Sequence, residues 1–150
     1  GVRDPLMIQK LPEIEAEAVE QVGQYYSDVS REDYQINFYN YGINGVLGDL
    51  EPQTDLPHEV GLLFEVVAKT QDMADTICAS LRSTILHFGY EGRKSTAGNL
   101  AFPFAPSDVS FGPVYEFSVY HLMDLDPDEI CSLFPVERLD WRTYENRKTV

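Results

Sequence analysis

The sequence predicts an α+β fold, and three observations carry that prediction. Apolar side chains recur at helical spacing from Met7 to Val22 and again from Met73 to Phe88. Between these two stripes lie two strand-length runs, over 33–42 and 60–70, rich in aromatic, β-branched or continuous apolar residues. Hydrophobic residues make up 43% of the 150 and charged residues 24%, which suits one soluble domain able to bury a core without disulfides or metals.

Taken in order, Met7, Leu11, Ile14, Ala18, Val22 and Tyr25 mark one face of an N-terminal helical segment within residues 1–30. Asp4 before Pro5 is a start signal: a short acceptor caps free N–H groups, and proline in the first turn has none to lose. Pro12 predicts a kink or a restart, after which Glu13, Glu15 and Glu17 sit near a helix N-terminus. A strand is expected over 33–42, then a turn-rich loop. The nearly continuous apolar run within 60–70 predicts a central strand buried on both faces. The next helix repeats Met73, Ile77, Leu81, Ile85 and Phe88, with Asp72 as N-cap and Gly89 as a left-handed stop.

Beyond it, a short strand is expected at 99–102, ended or held at an edge by Pro103 and Pro106. The alternation of Tyr115, Phe117, Val119, His121 and Met123 predicts another strand over 114–124. Asp126 and Pro127 open a last short helix, and 135–150 is a surface tail. The order helix, strand, strand, helix, strand, strand, helix points to a largely antiparallel sheet with helices on one face, a ferredoxin-like arrangement over 1–150.

Charge narrows the partners. A net charge of −14 repels polyphosphate and anionic lipid, which excludes nucleic acid and membrane surfaces as expected partners. No apolar run approaches the roughly 20 residues that span a bilayer. Cys78 and Cys131 have no CxxC neighbour and no His at metal spacing, so both are expected as buried thiols of a cytoplasmic, reducing setting. The opening GVRDP reads like the interior of a longer polypeptide.

Several candidate sites compete with structural explanations. Asp124, Asp126, Asp128 and Glu129 suggest a cation, but in an EF-hand register the sixth and twelfth positions fall on Glu129 and Pro135, so no metal is expected. His87 at a helix C-terminus and His121 on a strand are satisfied by capping and by a core position; His121 becomes an acid or base only if it lines a cleft. Asn44 and Gly45 lie in a loop with glycines at 42, 45 and 48, which permits tight turns or close ligand approach but lacks the Gly-Lys-Ser/Thr ending of a phosphate loop. Arg93, Lys94, Ser95, Thr96 and Asn99 gather donors beside a cationic pair, a reception for a carboxylate or phosphate; the competing reading is a proline-protected edge strand. No Ser-His-Asp or Cys-His constellation is present by spacing, and no cofactor is implied.

The stretches YGINGVLGDLEP, ADTICASLRSTILHFGYEGRKSTAGNLAFPFAPSD and PVYEFSVYHLMDLD resemble the C-terminal part of acyclic-terpene-utilisation (AtuA-like) proteins, with similarity from about Gly1 to Asp126. The resemblance implies a ferredoxin-like domain at the C-terminal end of a longer polypeptide, in the breakdown of branched acyclic terpenes or related acyl-CoA and carboxylic acids. It carries over no catalytic residue. Two functions follow as expectations. One is an accessory or assembly domain without catalysis of its own, partnered by an N-terminal domain or by another copy of itself. The other is a small-carboxylate or acyl-CoA site built from Asn44, Gly45, the Arg93–Asn99 segment and His121.

Overall fold

The computed structural model describes residues 1–135, with one compact unit over Gly1–Val114 and a second beginning at Tyr115. The first unit runs α1 (Pro5–Gln9), α2 (Leu11–Tyr25), β1 (Tyr34–Tyr41), β2 (Gly61–Ala68) and α3 (Gln71–His87). Asp4 caps α1 by accepting from the Leu6 N–H at 2.9 Å. The helix breaks at Lys10 and restarts with Pro12 in its first turn, where the missing N–H costs nothing. Met7, Leu11, Ile14, Ala18 and Val22 are buried as their spacing predicts, while Tyr25 at the end of the stripe is exposed.

β1 and β2 form an antiparallel pair from Tyr34 opposite Ala68 to Tyr41 opposite Gly61. Period-two alternation places Tyr34, Ile36 and Phe38 with Leu62, Phe64 and Val66 on one face, where they pack against Ile14, Val22, Ile77, Leu81 and Ile85 of the helices. Phe38 and Phe64 sit directly opposite each other with ring centroids 5.9 Å apart.

Two residue pairs extend this sheet. Val2 and Val60 exchange both backbone hydrogen bonds, at 2.8 and 2.9 Å. Gly1 and Ala101 likewise bond in both directions, at 2.7 and 2.9 Å. The resulting lateral order is the Ala101 run, Gly1–Val2, β2, β1. That is a ferredoxin-like order of an α+β fold, with two strands fully formed among the described residues and the other two positions held by single pairs.

Some local expectations are corrected. The run 99–102 forms no strand beyond the Ala101 pair, because the chain turns away at Pro103 and Pro106. Residues 114–124 carry the alternating pattern yet adopt no regular structure and lie exposed, Tyr115 at 91%; alternation without an adjacent strand edge supplies no ladder. β2 is covered on its helix face alone: Leu63 on the opposite face is 50% exposed. Thr70, not Asp72, caps α3 by accepting from the Met73 N–H at 3.3 Å, and Gly89 does not adopt a left-handed conformation. In the second unit, α4 (Pro127–Leu133) starts as expected, with the Asp126 N–H donating to Glu129 Oε2 at 3.3 Å. The Cys131 side chain and the tail from residue 136 lie outside the described residues.

Leu81 is fully buried at the helix–sheet contact. Leu81→Ala is expected to lower stability by about 2–5 kcal/mol, seen as a lower urea midpoint with an unchanged slope.

Candidate functional site

The Arg93–Asn99 segment follows α3 and folds back onto its end. Asn99 Nδ2 donates to the carbonyls of Ile85 at 3.0 Å and Phe88 at 2.8 Å, and its backbone N–H donates to the Leu86 carbonyl at 2.8 Å. The last carbonyls of a helix have no partner inside the helix, so Asn99 supplies from outside what a C-terminal glycine supplies elsewhere. Arg93 Nε donates to Asn99 Oδ1 at 2.7 Å, which fixes the amide orientation. The Ser95 hydroxyl donates to the Gly98 carbonyl and accepts from the Gly98 N–H, closing a short turn. Lys94 and Thr96 remain exposed. The donors gathered in sequence are thus largely turned onto one another and onto the helix end.

Just before this segment, the Tyr90 hydroxyl donates to Asp4 Oδ2 at 2.9 Å. Burial, then the Asp4 hydrogen bond and charge, push the Tyr90 phenol up to about 12. The Leu6 N–H, then the Tyr90 hydroxyl, hold the Asp4 carboxyl below the usual range. This bond ties the N-cap of α1 to the segment after α3, a connection of 86 residues that no local signal announces.

The Asn44–Gly45 loop is a tight turn. The Asn40 carbonyl accepts from the N–H groups of Ile43, Asn44 and Gly45 at 2.8, 3.0 and 3.0 Å. A Cβ at Gly45 would stand 2.8 Å from the Tyr41 nitrogen, and Gly42 has φ of 104°, so both glycines serve the chain's own path. The Asn44 side chain points into no described hydrogen bond, and among the described residues none joins this loop to the Arg93–Asn99 segment. His121 belongs to the second unit, in its exposed irregular stretch. Among the described residues no three His, Cys, Asp or Glu side chains are placed to hold a metal ion.

Sequence reasoning missed a groove of about 780 Å³ in the first unit. Its walls are β2 from Leu62 to Val67 and the run from Ala101 to Phe104, with Cys78 and Arg82 of α3 and Asp108 also lining it. Arg82 Nε lies 2.7 Å from Asp108 Oδ1, an ionic contact whose N–H is not aligned for a hydrogen bond. Burial, then Asp108, raise the Cys78 thiol, which makes it a poor nucleophile. The groove's lining is mostly apolar, with Glu65, Arg82 and Asp108 among its polar residues. The available signal was the nearly continuous apolar run of β2, broken by Glu65, in which Leu63 is left 50% exposed.

No protein-family model, curated protein or solved structure matches the chain.

Two substitutions test the structural roles assigned to polar residues. Asn99→Ala removes the side-chain donor from the part-buried carbonyls of Ile85 and Phe88 and is expected to cost about 1–3 kcal/mol, read as a shift of the urea midpoint. A loss near zero would free Asn99 for another role. Glu15 accepts from Asn40 Nδ2 at 2.8 Å, while burial holds its carboxyl above the usual range against that bond. A raised folded value favours the protonated folded form, so this contribution is present below the unfolded pKa and is lost as pH rises through the folded one. Asn40 Oδ1 is buried without a donor. Glu15→Gln keeps the acceptor and brings a donor, and is expected to match or exceed the parent at about pH 7 and to flatten the stability change down to about pH 5. Lower stability at neutral pH would contradict this.

Proposed function

We propose that this chain is a non-catalytic assembly domain whose open sheet surface packs against other polypeptide. The carrying observation is the outer face of β1 and β2, where cross-strand neighbours Tyr39 and Leu63 are 38% and 50% exposed, beside Tyr41 at 50%. Phe102 and Phe104 add exposed aromatic surface across the groove. Apolar area gathered in one place on a domain marks an interaction surface, whereas scattered single residues do not. The resemblance to acyclic-terpene-utilisation proteins supplies the setting, catabolism of branched terpenes or related acyl-CoA and carboxylic acids.

Support also comes from how the polar candidates are used. Arg93, Ser95 and Asn99 bond within their own segment, and Gly45 serves a turn. A carboxylate or acyl-CoA ligand received by Arg93, Ser95 or Asn99 would compete with those bonds. An assembly surface demands nothing of them.

The isolated chain is expected to self-associate between micromolar and millimolar concentration in sedimentation velocity. Leu63→Asp with Tyr39→Lys is expected to weaken that association at least tenfold, a change of about 1.4 kcal/mol. A parent chain that stays strictly monomeric over the whole range would defeat the proposal.

A further inference from the structure

The groove beside β2 has the dimensions and the chemistry of an absent strand. Backbone hydrogen bonds of an antiparallel strand point alternately to its two sides. Lys69 bonds Asp33 and Val60 bonds Val2, so odd-numbered residues of β2 serve β1 and even-numbered ones face the other edge. The N–H and C=O groups of Leu62, Phe64 and Val66 therefore look into the groove, and among the described residues no backbone group outside the ladder bonds to them.

At the groove's mouth the opposite wall is also backbone. There Gly1–Val2 bonds Ala101 on one side and Val60 on the other, so the two walls stand two strand spacings apart, about 9–10 Å. That gap admits one extended chain and is too narrow for a helix of about 10–12 Å diameter plus its clearance. From Leu62 to Val67 the groove is six residues long, or about 20 Å of strand.

We propose that this groove is a strand site, filled by an extended polypeptide segment joined to the Gly1 nitrogen, antiparallel to β2 and apolar at every second residue. The register of the Val2–Val60 pair sets the phase. Residues one, three and five before Gly1 fall opposite Leu62, Phe64 and Val66 and share their helix-facing side, as Val2 does. The even-numbered ones fall beside Leu63 and Glu65 on the outer face. Gly1 already makes the bond to the Ala101 carbonyl that a peptide N–H at this place would make. The inference rests on the assembly reading only in taking the partner to be polypeptide; outer-face association can persist with the groove empty.

The test is amide hydrogen exchange on the chain extended before Gly1 by six residues, with valine at the first, third and fifth and threonine elsewhere. Exchange at Leu62, Phe64 and Val66 is expected to slow at least about tenfold, while Leu63 and Glu65, bonded to β1, change little. A control with the valines moved by one residue presents the wrong face and is expected to protect less. No slowing in the in-phase extension overturns the proposal. Equal slowing from the same hexapeptide added free overturns the joined strand, and slowing that depends on protein concentration assigns the groove to a second copy instead. Sedimentation of the parent chain reports on the assembly reading separately.

Discussion

The backbone pairing of β2 is the constraint on which the rest depends. Its odd-numbered residues are satisfied by β1, and this pairing sets which side chains face α2 and α3. Shift the register by one residue and Leu62, Phe64 and Val66 would turn to the outer face while Leu63 and Glu65 entered the core. Burying Glu65 would break its hydrogen bonds with Asn37 and Tyr39 and strand a carboxylate among apolar side chains. The apolar core and the polar net on the outer face thus select the same register.

The polar segments that drew attention in sequence are better understood as terminations of that layer. Helices end with unpaired carbonyls and strands end in turns, and both ends here are closed by side chains or by glycine. Asn99 closes α3, and the Asn40 carbonyl collects the donors of the turn after β1. Tyr90 and Asp4 join the first helix to the last of the unit. Such groups resemble a ligand site in composition because anchoring a backbone carbonyl and receiving a ligand call on the same donors.

Much of the fold was legible because it is periodic. The stripes of α2 and α3 needed only their own spacing, and Asp4–Pro5 marked a start by local chemistry. Thr70 and Asp72 are both good N-caps, so the choice between them depended on where β2 ended, which is a tertiary fact. The stretch 114–124 illustrates the converse: period two states what a strand would do if an edge were available, and the edge is not in the local sequence. The candidate site suffered in the same way. Arg93 to Asn99 announces donors, but the acceptors lie on α3 up to 14 residues earlier, so their internal use was invisible. The groove left a trace in the nearly continuous apolar run of β2, read there as burial on both faces.

That misreading has a physical meaning. A strand with apolar residues on successive positions is adapted to cover on both faces and pairing on both edges. β2 has one covered face and one paired edge beyond the single contact at Val60, so its sequence carries more apolar and hydrogen-bonding capacity than the described unit uses. The same excess appears opposite it, in Phe102 and Phe104 beside the Ala101 pair. An extended chain continuing Gly1–Val2 along β2 meets the free edge groups of Leu62, Phe64 and Val66 and lies beside Phe102 and Phe104, so one complement uses both excesses. A partner resting only on the outer face would cover Tyr39 and Leu63 and leave the even-numbered backbone groups of β2 without protein partners.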